Sequence, residues 1–487
     1  MSYIRHSNHP QLDPPAVYGE ILSVLCAEVE RLQAHEHGSR KGSIYLGITG
    51  HALLAHNLAG HAVPGLSPPD LYAFADATLG RALSLSPTSL SNPSTGCHSS
   101  FLETFVGIAT LTLIRAVEQV SVKPLSTTPF AESWTSCAQL IQSVTTLTLS
   151  EDRGQNSPPD DGCEVLYGRA GLLYALLRLR AASRRVIHPG GPASSELLTT
   201  VRALSTKDTI KNLVEAIIRR GESGASLYTA ELAGGVAPPL MWSWHGKRYL
   251  GAAHGVAGIL HILLLCPADV VRPHMPSILR TAEWLIGIQR DTGNWPTAAP
   301  SASASGSTDE ELVQWCHGAS GILIFLTTLL RLVSSASAAA PLLRPLIASV
   351  QAGAGLVYRH GLLRKGLGLC HGVAGSVFAL VAVSDVLDRA GPGAATSGKE
   401  AEGSGDYYLA RAAHLARLAV THDACGDMRV PDHPFSLYEG RAGMCAAWAA
   451  VLARLAARNG ANREQVHFDR SGMPGFDDVE GDTWVSW

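Results

Sequence analysis

Charge is thin along this chain. Asp, Glu, Lys and Arg make up only 16% of its 487 residues, and 41 acids against 38 bases leave a net charge of −3. No basic stripe is present, which argues against a nucleic-acid binder, and no block of like charges marks a membrane-surface patch. Nine cysteines, an odd number, are scattered through the chain; that is no disulfide framework, and reduced thiols are expected. The opening MSYIRHSNHPQLDPP lacks the apolar run of a signal peptide. Ser2 is not a myristoylation site, and the closing WVSW has no prenylation cysteine. A cytoplasmic location is the expectation.

Long uncharged runs are few. YLGAAHGVAGILHILLLCPA from Tyr249 and GLGLCHGVAGSVFALVAVS from Gly366 approach the roughly 20 residues of a membrane span. In each, however, the first half is Gly, Ala and His, and only the second is strongly apolar. A buried helix entered through a glycine turn accounts for both, and no transmembrane segment is expected.

What the chain has in quantity is glycine, and it recurs in register. A G-x-x-G pair opens an apolar run at Gly47/Gly50, Gly168/Gly171, Gly255/Gly258, Gly318/Gly321, Gly372/Gly375 and Gly440/Gly443. A degenerate copy, SFLETFVGIATLTLI, keeps only Gly107. Between copies lie amphipathic segments such as LYAFADATLGRALSL, TIKNLVEAIIRR, MPSILRTAEWLIGIQ and YYLARAAHLARLAVTH. Each unit therefore reads as an outer amphipathic helix, a glycine turn and an inner helix that is apolar nearly all round. Such inner helices must be covered on every side. Seven hairpins achieve this by closing into an all-α ring, an α/α toroid (double-layered barrel).

The expected organisation is one domain over 1–487: an N-terminal helical segment at 1–40, repeats over about 41–460 and a polar tail over about 461–487. Met473 to Phe476 in that tail are expected to tuck back. The glycines are expected to permit close backbone approach and positive φ where the chain turns inward. The Pro/Ser/Gly-rich stretches SLSPTSLSNPSTG, RGQNSPPDDG, TAAPSASASGST and GPGAATSGKEAEGSG are read as mobile loops.

The turns share one rim, and three of them carry chemistry: His254 in the fourth unit, Cys316 and His317 in the fifth, Cys370 and His371 in the sixth. Two thiolates and an imidazole would make three ligands of a tetrahedral Zn²⁺ with an open fourth position. The plain alternative is two small core cysteines and capping histidines.

WCHGASG, GLCHGVAG, YLGAAHGVAG, LLYGRAGLLYAL and PFSLYEGRAG, with PLMWSWHGKRYLGAAHG and RKGLGLCHG, resemble the lanthionine synthetase C-like proteins, eukaryotic relatives of bacterial lantibiotic cyclases. The resemblance runs from about Tyr45 to Gly443. It implies a seven-fold α/α toroid holding one zinc on Cys316, Cys370 and His371. It also implies an enzyme that adds the glutathione thiol to dehydroalanine or dehydrobutyrine residues of proteins or peptides, with kinases among the candidate protein substrates. A free thiol titrates near pH 8.5 and attacks only as thiolate, which zinc coordination would supply.

The resulting enolate needs a proton, and His254, on the same rim, is the candidate donor, since an imidazole can donate near neutral pH; by the resemblance, Glu164 matches an acidic residue near the catalytic centre. His317 follows the first zinc cysteine, where it would orient substrate or ligand. Lys365 matches a lysine used for glutathione, and Arg5 an arginine near the family's N-terminus. Three positions depart from the pattern: ETFVG lacks the first glycine, Ser376 replaces a common Asn, and Leu312 stands where bacterial cyclases carry Arg.

Two other readings stay open. A non-catalytic protein could hold glutathione, or a kinase or cytoskeletal partner, on the same rim. QRDTGNW, with Gln289, Gly293 and Trp295, resembles the Q-x-x-x-G-x-W motif of terpene cyclases, and protein prenyltransferases also bind zinc on α/α toroids. No Asp-rich acid motif accompanies that single copy.

Overall fold

The computed structural model describes residues 2–7, 14–35, 42–61, 63–85, 98–121, 124–151, 162–186, 192–232, 235–300, 312–334, 340–388, 406–458 and 472–479. The four Pro/Ser/Gly-rich loops expected to be mobile fall wholly or largely outside these residues.

Where a unit leaves its glycine turn, a run of apolar residues without a breaker starts an inner helix. These are α2 (Ile48–His61), α4 (Phe105–Gln119), α6 (Arg169–Arg185), α9 (Val256–Leu264), α12 (Ala319–Val333), α14 (Val373–Leu387) and α16 (Arg441–Arg458). Each packs on the next in that order, and α16 packs back on α2, so the ring is closed. Every residue from Ile48 to Ala59 of α2 is buried, as is every residue from Val373 to Ser384 of α14.

The outer layer is α1 (Pro14–His35), α3 (Pro68–Ser84), α5 (Trp134–Glu151), α7 (Pro192–Leu204), α8 (Lys207–Glu231), α10 (Ala268–Val271), α11 (Met275–Gly287), α13 (Ala340–His360) and α15 (Tyr407–Ala424). These helices bury one stripe only. In α3 the buried set includes Leu71, Ala75, Thr78, Leu79 and Ala82, the spacing of one helical face. Among the described residues, extended pairing is limited to isolated bridges, Tyr3 with Leu363, Trp244 with Lys247 and Tyr249 with Ala298. No described helix is long and apolar enough to cross a membrane.

The turns are joined by backbone hydrogen bonds into a second, smaller ring. Tyr45 N–H donates to Leu102 O, Ser99 N–H to Tyr167 O and Val165 N–H to Ala253 O. Ala252 N–H donates to Trp315 O, Trp315 N–H to Cys370 O, Cys370 N–H to Tyr438 O and Tyr438 N–H to Tyr45 O, which closes the circle. The second glycine of each unit makes this possible. A Cβ at Gly258 would lie 1.9 Å from Ala252 O, and one at Gly321 2.1 Å from Trp315 O. Gly107 serves the same purpose in the degenerate unit, 2.1 Å from Phe101 O.

There Thr104 stands in for the first glycine and caps α4 by accepting from Val106 N–H. Positive φ is not the general requirement: Gly168, Gly255 and Gly372 are extended, and among the first glycines described at helix N-caps only Gly318, at φ 98°, is left-handed. Close approach is what selects glycine at these turns.

The tail does tuck back. Met473, Phe476 and Asp478 are buried, and Asp478 pairs with Arg178 of α6 at 2.6 Å and accepts from Asn57 of α2 at 3.0 Å. Phe476 sits edge-on to Trp315, and Tyr438 donates to Pro474 O at 2.9 Å. Segment 472–479 thus fills the ring beneath the rim. The Q-x-x-x-G-x-W residues pack the outer layer. Gln289 donates to Gly293 O and Ser349 O, and Trp295 donates to Leu285 O.

Candidate active site on the turn rim

The residue before the first glycine of each unit has an equivalent place. Leu46, Glu103, Tyr167, His254, His317, His371 and Glu439 are all half-buried. One step further in stand Tyr45, Cys316, Cys370 and Tyr438, all buried. The turn-to-turn bonds bring Cys316 and Cys370 together although 53 residues separate them (370 minus 316, less one): both Trp315 N–H and Cys316 N–H point at Cys370 O.

Cys316 and the His371 ring lie close enough to the Cys370 thiol to act on its protonation. Burial, then the Cys316 contact, push it well above the ordinary thiol range, with His371 pulling the other way. The Cys370 contact raises His371 against the opposing effect of burial. Cys316 also donates to Gln314 Oε1 at 3.4 Å. Two thiols and an imidazole are a donor set suited to zinc by their chemistry. Cys370 stands between the other two, with Cys316 on one side and His371 on the other; among the described residues no group of three His, Cys, Asp or Glu side chains is already placed to hold a metal ion.

His254 stands on the same rim with Nδ1 2.8 Å from Glu164 Oε2. Glu164, only 2% exposed, also accepts from Leu166 N–H at 2.9 Å and Tyr167 N–H at 2.5 Å. One carboxylate therefore fixes both the turn of the third unit and the ring of the fourth. With Nδ1 engaged by Glu164, Nε2 is the ring nitrogen that remains for chemistry. His317 lies beside it, ring centroids 6.3 Å apart, with its Nδ1 buried and unpartnered among the described residues. Burial, then His254 and Lys365, lower its pKa to about 4, so it is neutral at pH 7.

Lys365 is exposed and close enough to act electrostatically on both His317 and His371. Arg5 is exposed on the extended N-terminal segment whose Tyr3 bridges to Leu363. The structure thus brings Cys316, Cys370, His371, His254, Glu164, His317 and Lys365 together on one side of the turn rim. Arg5 lies on the strand beside the Lys365 loop, with no described contact to the rest.

Sequence reasoning missed the wall behind His254. Tyr167 and Trp244 lie nearly parallel to its ring, with centroids 6.1 and 6.0 Å from it and 5.7 Å from each other. Tyr249 packs against both His254 and His317. The available signal was register: Tyr167 occupies in LYGRAG the position His254 occupies in AAHGVAG.

Residues 130–457 match the family described as lanthionine synthetase C-like protein. The chain is 27% identical over 292 residues to glutathione S-transferase LANCL1 of Danio rerio, covering 60% of this chain and 58% of that one. It is 28% identical over 309 residues to LanC-like protein GCL1 of Arabidopsis thaliana, covering 62% and 59%. The matched region thus spans about three fifths of the length of these relatives. Among solved structures, nisin cyclase has a similar fold, with a TM-score of 0.51 at 14% identity over 94% of this chain and 97% of that one.

Proposed function

The chain belongs to the lanthionine synthetase C-like family, and from that premise we propose that it adds the thiol of glutathione to dehydroalanine or dehydrobutyrine residues of proteins. The observation that carries this reading is that Cys370 lies between Cys316 and His371 on the same rim as the Glu164–His254 pair. The name of the Danio rerio relative supports glutathione as the thiol.

Cys316, Cys370 and His371 would hold a zinc ion, which when bound lowers the pKa of a coordinated thiol. Lys365, and Arg5 on the N-terminal segment held beside its loop, offer cations to the two carboxylates of glutathione. Sulfur bonds to the β-carbon, the double-bond pair moves toward the α-carbon, and His254 gives that carbon a proton. Glu164 holds Nδ1 of His254 and stabilises the ring while it carries the proton. Neutral His317 adds no competing positive charge beside His254 and serves as a hydrogen-bond partner.

The test is mass spectrometry of a dehydroalanine peptide incubated with glutathione, together with zinc content by elemental analysis. The wild type is expected to give the glutathione adduct and about one zinc per chain. His254→Ala should keep the zinc and lose roughly 10²-fold or more in rate; Cys316→Ala should lose the zinc. Glutathione binding without any adduct would overturn the transferase reading in favour of a glutathione-holding protein.

A further inference from the structure

Tyr167 is built into the rim more firmly than its neighbours. Its N–H donates to Glu164 at 2.5 Å, and its carbonyl accepts from Ser99 at 2.8 Å and Ser100 at 3.1 Å. Its ring is boxed by Trp244 and His254, at interplanar angles of 16° and 14°, and by His98 at a centroid distance of 5.6 Å. Trp244 is held by a two-residue reverse turn in which Trp244 and Lys247 exchange both backbone hydrogen bonds. The turn keeps His245 at φ 49° and Gly246 at φ 71°. A non-glycine residue at positive φ costs free energy, and here the turn sets Trp244, only 8% exposed, against the catalytic histidine.

What this scaffold presents is a phenol hydroxyl that makes no hydrogen bond among the described residues. Burial, then Glu103, Glu164 and Cys370, raise its pKa, so it is a protonated donor at neutral pH. The ring that carries it lies beside His254, which Glu164 holds, and beside Trp244.

We propose that Tyr167 is the hydrogen-bond donor to the carbonyl oxygen of the acceptor residue, with Trp244 its positioning residue. This rests on the reading that the acceptor is a dehydroamino acid. When sulfur bonds to the β-carbon, the double-bond pair is driven onto the α-carbon and its conjugated carbonyl oxygen. The charge that develops on that oxygen needs a fixed donor. A pre-oriented phenol supplies one without reorganisation. His254 then protonates the α-carbon, the carbonyl re-forms, and the proton the thiol lost on becoming thiolate restores the His254 ring, so that thiol plus alkene has become thioether with no redox change. The near-parallel rings of Tyr167, Trp244 and His254 suit a planar conjugated acceptor.

The experiment uses the full-length zinc-loaded protein and two readouts. The first is the steady-state rate of adduct formation for wild type, Tyr167→Phe and Trp244→Leu. Tyr167→Phe is expected to lower kcat about 10²-fold with KM, zinc content and melting temperature little changed. Trp244→Leu should lower kcat less, with KM rising. The second readout needs no turnover. A dehydroalanine peptide carrying a ¹³C-labelled carbonyl is bound without glutathione, and its stretch is read by isotope-edited infrared spectroscopy. The wild type should shift it to lower frequency, and Tyr167→Phe should abolish that shift. An unchanged kcat in Tyr167→Phe, or an infrared band the same in both proteins, overturns the proposal, as does failure of the peptide to bind. A wild type that forms no adduct sinks the glutathione reading alone, because the infrared comparison still decides where the phenol donates.

Discussion

At the scale of single residues, Glu164 is the most connected group of the site. Its carboxylate accepts from two backbone N–H groups and holds the His254 ring, all while nearly inaccessible to water. Glu164→Gln keeps the shape but removes the charge that stabilises a protonated His254. Adduct formation is expected to fall roughly 10²-fold with zinc content unchanged, measured by the same mass-spectrometric assay.

A second residue far from the rim couples stability to pH. His414 Nδ1 lies 2.7 Å from the Tyr358 hydroxyl, and its ring meets that of His6. Burial, then His6 and Arg417, lower its pKa from 6.5 to about 4. The unfolded chain therefore binds a proton that the folded one refuses. The stability this gives is complete above about pH 6.5 and is lost as pH falls toward 4. Denaturant midpoints taken across that window should decline less steeply for His414→Gln than for the wild type. Equal slopes would refute the assignment.

At the scale of elements, the two kinds of helical glycine should respond oppositely to alanine. Gly258 opens α9 against Ala252 O, where a Cβ would stand 1.9 Å away. Gly258→Ala is expected to cost about 2–3 kcal/mol by overpacking and to loosen the adjacent turn. Gly80 lies within α3 with nothing near its would-be Cβ. Gly80→Ala should stabilise by about 0.5–1 kcal/mol, because alanine gives up less backbone freedom on entering a helix. Thermal melts of the pair check both signs. The same logic explains why the degenerate second unit still works: it discarded the first glycine, which Thr104 replaces by capping, and kept the one whose Cβ would strike a carbonyl.

At the scale of the whole molecule, segment 472–479 bridges helices of the ring that the seven hairpins close. Asp478, 4% exposed, is the counter-ion of the buried Arg178 and ties α2 and α6 to the tail. Asp478→Ala would leave a buried guanidinium uncompensated, at a cost of about 3–5 kcal/mol. Phe476 lies against Trp315, the neighbour of Cys316, so on the proposed zinc-holding function the variant should also lose zinc at lower chelator concentrations than the wild type. Unchanged denaturant and chelator midpoints would show that the tail merely rests in the ring.

Much of this was written in the chain. Helical periodicity and recurrent glycine pairs specify the hairpins, since an all-apolar helix must be covered on every side. The Cys-His-Gly repeats mark the chemically equipped turns. What the linear order could not carry was distance across the ring. Glu164 and His254, 90 positions apart, meet because Val165 and Leu166 N–H groups both bond to Ala253 O. Tyr167 and Trp244 became visible as a wall only when the third and fourth turns were side by side. The reach of Asp478 into the centre, likewise, follows from the space seven helices leave along their axis. Local pattern is dictated by the bonds and sterics of a few neighbouring residues and can be read in order. Which turns face one another is decided by the closure of the whole ring.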